Sequence, residues 1–272
     1  MNVHLSLVNL LRTATVTASS NSGSGLFGSD RIKSSERPAK RWHSSGTSQS
    51  WIHIDFGEPK TVHVFDFNNA NFASVHVQGR ASSTGGADAL WDSAPAYDRA
   101  VSLTRHPFTT RSSTPHLSSA FFYRYARILI PAQATLVERD GVDASSFFAL
   151  GGLWAGAVEK LPRAWRWSYT WGTQFPKKKV GPGHWTRTVR LGAPYTGLQG
   201  SLELFVNFDA PGIGDDLALW QDLQRRMNDR GPFLAVCEYL GGLYGLIAED
   251  ESDPAEIDYP VATIPLRWTE AL

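Results

Sequence analysis

The sequence predicts a mainly β protein: two antiparallel sheet systems, the second carrying one α-helix. Three observations carry this. Long stretches alternate apolar and polar residues with period two, as in S-W-I-H-I-D-F-G-E-P-K-T-V-H-V-F-D-F (50–67) and W-R-W-S-Y-T-W (165–171). Only one window, Leu217, Trp220, Leu223 or Gln224, and Met227, repeats every three to four residues. Finally, 24 Gly and 15 Pro punctuate a chain with 10 Trp and 14 Phe but 2 Met, the make-up of rigid strands joined by turns. At 272 residues the chain is comfortable for two domains, and the style of the sequence changes near 158–162. The expected units are therefore 1–158 and 159–272.

The elements follow in order. Residues 13–50 are rich in Ser, Gly and Thr, yet Trp42 and T-V-T-A-S mark them as loops laid over a sheet. Strands are expected at 51–56, 61–67, 74–79, 123–130 and 147–154, each bounded by turn residues. Residues 82–119 form a polar excursion pinned by Trp91 and Tyr97. In W-R-W-S-Y-T-W, Trp165, Trp167, Tyr169 and Trp171 share one face and Arg166, Ser168 and Thr170 the other. H-W-T-R-T-V-R-L (184–191) reads as its hairpin partner, with Lys177, Lys178 and Lys179 at the tip. A strand at 201–208 precedes the helix, expected over 215–230, with Gly214 or Asp215 capping its start and Gly231-Pro232 its stop. Strands at 233–240, 243–249 and 262–269 follow, the first two joined by Gly241-Gly242.

Composition excludes several classes of function. Lys plus Arg equals Asp plus Glu at 26 each, so no global field draws the chain to nucleic acid or an anionic membrane. Cys237 is the single cysteine, so no intramolecular disulfide forms, which fits maturation in a reducing cytoplasm. M-N-V-H-L-S-L-V-N-L-L-R lacks a basic n-region and is a poor signal peptide, and no apolar run reaches about 18 residues, so no membrane insertion is expected.

Several motifs resemble a known family. V-T-A-S-S (16–20), D-R-I-K-S-S-E-R-P-A-K-R-W-H-S-S (30–45), S-W-I-H-I-D-F-G (50–57), V-H-V-Q-G-R-A-S-S (75–83) and Y-R-Y-A-R-I-L-I-P (123–131) fall in the order seen in discoidin-like, coagulation-factor C-type domains. The resemblance implies a galactose-binding-like jelly-roll β-sandwich over about 10–157. The cysteine pair usual in its secreted members is missing, which points to an intracellular or viral branch. Residues 160–272, with a W-x-x-L helix, G-P-F-L-A-V, a G-G hairpin and a final strand ending R-W-T-E, resemble the tail-tube-like modules of long-tailed phage distal-tail and baseplate proteins. That implies an antiparallel β-sandwich or barrel module with one helix. It also implies assembly with itself into a ring, trimer or hexamer, and contact with the tail tube protein and the baseplate hub.

Candidate chemistry is sparse. His53, Asp55, His63, Asp66 and His76 include metal-ligand residue types, and His53 could face His63 if strands 51–56 and 61–67 paired. Alternation explains them better as the outward face opposite Ile52, Ile54 and Phe56, and no metal or other cofactor is assigned. Asp30 lies in a polar loop able to supply oxygens to calcium. No G-x-S-x-G elbow occurs; Asp215-Asp216 suits a helix start and Glu249-Asp250-Glu251 a turn, so no catalytic residue is named. Gly212 and Gly214 lack the frame of a phosphate loop.

Sugar binding needs aromatic faces and hydrogen-bonding groups on loops at one end of a sheet, and Arg41, Trp42, His43 and Trp91 are the candidates. Trp165, Trp167, Lys177, Lys178 and Lys179 are the candidate subunit-interface residues, and three lysines are few for useful binding of nucleic acid. The expected function is a non-enzymatic structural protein of a phage tail tip, located in the virion and linking tail tube to hub. A carbohydrate-binding protein that recognises host-surface glycan is the alternative, and a glycan-active enzyme is disfavoured.

Overall fold

A computed structural model of the chain describes residues 3–21, 27–33, 41–82, 91, 95–103, 113–132, 136, 146–161, 165–174, 177–180, 187–190, 195–205, 216–239, 242–252, 256–258 and 261–270. Its strands are β1 (Val3–Ser6), β2 (Thr15–Ala18), β3 (Trp42–His43), β4 (Ser50–Ala70), β5 (Ser74–Arg80), β6 (Tyr97–Ser102), β7 (Ser113–Ile130) and β8 (Ala149–Gly156). They continue with β9 (Arg166–Gln174), β10 (Lys177–Val180), β11 (Arg187–Arg190), β12 (Tyr195–Phe205), β13 (Phe233–Tyr239), β14 (Gly242–Asp250), β15 (Glu256–Asp258) and β16 (Val261–Glu270). Helix α1 (Asp216–Arg230) lies between β12 and β13. The fold is mainly β, with antiparallel sheets in a sandwich-like arrangement, as the sequence predicts.

The first sheet system runs β3-β8-β4-β7-β5-β6, with β2 on β4. Its shape comes from two long strands. The first half of β4 pairs with β2 and with the second half of β7 (Trp51↔Leu129), and its second half pairs with the first half of β7 and with β8. Gly57, at φ 82°, and a register shift between Asp55 and Lys60 turn the strand between these halves. The Gly57 N–H donates to the Asp55 carboxylate at 2.8 Å, fixing the bend. Ile52 and Ile54 from one half and Phe65 and Phe67 from the other thus meet in one core with Trp42, Phe121, Ile128 and Phe148. The expected turn at 57–60 is therefore a bend within one strand, and His53 and His63 lie along that strand instead of facing each other.

The second sheet runs β1-β13-β14-β16-β12-β9, with β15 on β16. Its first strand corrects the expected division of the chain. Val3 pairs with Cys237 and Ser6 with Leu234, so residues 3–6 belong to the second sheet and not to the 1–158 unit. The sandwich is an insertion between β1 and β9, and its entry and exit lie together, the Glu159 N–H donating to the Leu5 carbonyl at 2.8 Å. Asn9 anchors the entry: its amide donates to the Leu153 carbonyl at 3.1 Å, and its oxygen accepts from the Ala155 N–H at 3.2 Å.

F-L-A-V-C in β13 is apolar throughout because both faces are covered. Leu234 and Val236, with Ile247, pack against Val64 and Trp154 of the sandwich. Phe233, Ala235 and Cys237 face the core built around α1. There Leu217, Trp220, Leu223 and Met227 form the buried stripe of the helix, which stops at Gly231 with φ 78°. The expected caps at Gly214 and Asp215 and the Gly241 turn lie outside the described residues.

The expected hairpin around the lysines is also corrected. β9 pairs with β12, Trp171 opposite Leu198, while Lys177, Lys178 and Lys179 lie in β10, paired with β11 (Lys177↔Arg190). The lysines thus form a side of a two-stranded ribbon between β9 and β12, not its tip.

Candidate functional site

The structure separates the four predicted sugar-binding residues. Arg41 and His43 come together at β3, Trp42 turns into the core, and Trp91 lies on another face. Alternation along β3 sends adjacent side chains to opposite sides. Trp42 is fully buried, and its indole N–H donates to the Ser20 carbonyl at 3.2 Å and the Asn21 side-chain oxygen at 3.1 Å. A ring enclosed in this way is a core plug and offers no face to a sugar, which corrects that expectation.

His43 lies between two phenyl rings. Its centroid is 4.1 Å from Phe27 at 9° and 4.4 Å from Phe147 at 21°, a three-ring stack that remains half-buried. The geometry is held from beneath. The Asn71 amide donates to the Phe147 carbonyl at 3.0 Å and accepts from the Ala149 N–H at 2.7 Å. The Ser44 hydroxyl accepts from the Phe148 N–H at 2.7 Å, and β3 pairs with β8, His43 opposite Ala149. Burial holds the His43 pKa below its ordinary value, and the charge of Arg41, itself 9% exposed, lowers it further. His43 is thus a neutral aromatic ring at pH 7. Sequence reasoning missed both phenylalanines: Phe27 sits alone in a Gly/Ser stretch, and only the Phe147-Phe148 pair hinted that one ring points each way.

Trp91 belongs to the outer face of the first sheet. It lies against His53 at 5.2 Å, with the guanidinium of Arg127 5.3 Å and that of Arg80 5.6 Å from its ring. Trp51 stacks on the opposite side of His53 at 3.9 Å and 18°. The register carries a polar row across the sheet: Thr17, His53, Arg127, Gln78 and Asp98 lie side by side on β2, β4, β7, β5 and β6. Arg127 donates to the Gln78 side-chain oxygen at 2.7 Å, and the Gln78 amide donates to Asp98 at 2.9 Å. The other Asp98 oxygen lies 3.0 Å from His76 Nδ1.

The predicted interface tryptophans are used within the chain. Trp165 is 5% exposed and meets Trp220 edge-on at 6.0 Å, while Trp167 packs on Trp220 at 6.1 Å and Trp268 at 6.0 Å. They are core around α1, because a strand whose aromatic side faces a helix has no aromatic side left for a neighbour. The acidic turn is structural too: Asp250 accepts from Gln224 at 3.0 Å and from the Trp268 indole at 3.1 Å.

Among the described residues no group of three His, Cys, Asp or Glu side chains is placed to hold a metal. His63 Nδ1 accepts from the Val158 N–H at 3.1 Å, and Asp30 pairs with Lys33 at 2.8 Å. Cys237 is buried, and burial pushes its thiol well above the ordinary range, so no thiolate nucleophile is available there. No described helix is long and apolar enough to cross a membrane.

No family model and no curated protein matches the sequence. Solved structures do resemble part of it. Chitosan-binding module 1 of a chitosanase/glucanase from Paenibacillus sp. IK-5 is 20% identical, with a TM-score of 0.38 over 55% of this chain and 98% of that one. The Streptococcus pneumoniae fucose-binding module SpX-3 is 11% identical, with a TM-score of 0.40 over 56% and 100%. A mutant lectin-binding domain of Lectinolysin, complexed with Lewis b, is 10% identical, with a TM-score of 0.41 over 56% and 97%. None of these likenesses assigns a ligand to the chain.

Proposed function

We propose that the chain is a non-enzymatic carbohydrate-recognition protein whose sandwich carries the binding site and whose second module carries it in an assembly. The observation that supports this reading is the Phe27–His43–Phe147 stack with Arg41 beside it. Phe27 and Phe147 each lay one face on His43, and their other faces, next to a cation and backbone groups, match the amphipathic surface of a pyranose, with one face of C–H groups and a rim of hydroxyls. A glycan array followed by calorimetric titration tests it. Binding should be saturable and lost in His43→Ala, which removes the middle ring; an array with no saturable signal sinks the reading.

A second reading, a ring-forming structural protein of a phage tail tip, is favoured by a different observation. Among the described residues nothing pairs with the outer side of β9, and the β10–β11 ribbon leaves the sheet beside it. A free edge with an arm is what neighbouring copies exchange in closed rings. Light scattering on the purified chain distinguishes the readings: a trimer or hexamer that incorporates into virions supports the second, and a monomer at every concentration opposes it.

A further inference from the structure

We propose a second ligand site, on the outer face of the first sheet, that takes one ring of a neutral pyranoside between Trp51 and the His76–Asp98 pair. The proposal extends the carbohydrate reading but stands on different residues. The register sets Trp51 opposite Leu129 and Leu129 opposite His76, so tryptophan and histidine stand two strands apart, roughly 9–10 Å by the usual strand spacing. That gap admits one sugar ring, with half-buried Leu129 as its floor.

The walls are fixed in advance. Trp51 is braced by its stack on His53, itself backed by Trp91. On the other side Asp98 is held by the Gln78 amide and His76, and Gln78 in turn by buried Arg127. Side chains already locked lose little further freedom when a ligand arrives. Both rim groups remain open to solvent, His76 at 40% and Asp98 at 39% side-chain exposure.

The hydrogen-bonding capacity specifies the ligand. The Asp98 carboxylate keeps lone pairs beyond its contacts with His76 Nδ1 and the Gln78 amide. A carboxylate acceptor at the rim calls for a ligand with hydroxyl donors. An anionic sugar would bring its charge beside the Asp98 carboxylate, so the site selects neutral rings.

The test is saturation-transfer NMR and calorimetry of the full chain with neutral methyl pyranosides (glucoside, galactoside, mannoside, fucoside and N-acetylglucosaminide), and with methyl glucuronide as the anionic comparator. One neutral pyranoside should bind, with affinity falling at least about tenfold in both Trp51→Ala and His76→Ala while His43→Ala leaves that binding intact. His76→Ala alters an exposed rim residue, so it reports on the site even where Trp51→Ala disturbs the sheet. Binding lost in His43→Ala and retained in Trp51→Ala and His76→Ala overturns this proposal and leaves the first site standing. The glucuronide binding as tightly as the neutral rings overturns the assignment of ligand class. No pyranoside binding at about 10 mM, well above the 1 mM Kd that corresponds to some 4 kcal/mol, overturns both sites.

Discussion

The indole N–H of Trp154, in β8 of the sandwich, donates to the hydroxyl of Ser6, in β1 of the second sheet, at 3.0 Å, with both side chains buried. This bond joins the two sheet systems. Ser6→Ala removes the acceptor and leaves a buried N–H without a partner, which costs about 1–3 kcal/mol. Urea unfolding should show that loss, and Ser6→Ala with Trp154→Phe together should cost less than the two singles summed, because the second change removes the orphaned donor. Additive losses would show that the bond contributes nothing.

Among the described glycines, Gly200 in β12 leaves the least room for a side chain. A Cβ there would lie 1.8 Å from the Ser168 carbonyl oxygen and 2.6 Å from the Tyr169 Cα. Backbone cannot swing aside as a long side chain can, so Gly200→Ala must part β9 from β12. The expected destabilisation is at least about 3 kcal/mol, the upper end for overpacking, with faster amide exchange across Arg166–Gln174. Gly172→Ala, where a Cβ meets nothing within 4 Å, is the control and should be nearly neutral.

Trp42→Ala should lower stability by about 3–5 kcal/mol, the usual cost of emptying a buried tryptophan site. Any loss of sugar binding in that variant should follow the unfolded fraction. At a temperature where the variant stays folded, its affinity should match that of the parent; a binding defect in fully folded Trp42→Ala would return the residue to the site.

Acid should weaken the fold through three histidines. Burial lowers the pKa of His4, His43 and His116 from the ordinary value of 6.5. In each case the unfolded chain takes up a proton before the folded one does. Stability is therefore complete above about pH 6.5 and falls as pH drops from there toward the depressed folded values. His43→Phe keeps an aromatic ring between Phe27 and Phe147 and removes one of the three protons. Its denaturation midpoint should fall less steeply from pH 7 to 5 than that of the parent, and an unchanged slope would exclude His43 as a contributor.

The sequence made the period of most elements readable and the pairing of few. Alternation marked Ile52, Ile54 and Phe56 as inward, and the 3.6-residue repeat marked Leu217, Trp220, Leu223 and Met227, because both patterns are local. Gly57-Glu58-Pro59-Lys60 read as a turn because its residue types are those of turns, yet the chain spends them on a bend inside β4. Partnerships across the chain left no local trace. Nothing near Val3 names Cys237, and nothing near Trp171 names Leu198. The site fared likewise: Arg41 and His43 were visible as types, but Phe27 and Phe147 reach His43 only through tertiary pairing. The residue type of Trp42 suits a core plug as well as a sugar platform, and only its burial in the tertiary structure decides for the plug.

The pairing of Ser6 with Leu234 sets an order for synthesis. At about 5–20 residues per second, β1 leaves the ribosome roughly 10–50 s before β13 exists. Once β8 has been made the sandwich can close on its own core, while the segment ahead of it still has no sheet to join. The second module is thus completed by docking a strand made long before it. Translation pauses beyond residue 160 would lengthen the time during which that strand and the outer face of Trp154 stay uncovered, and this is when chaperones would meet the nascent chain.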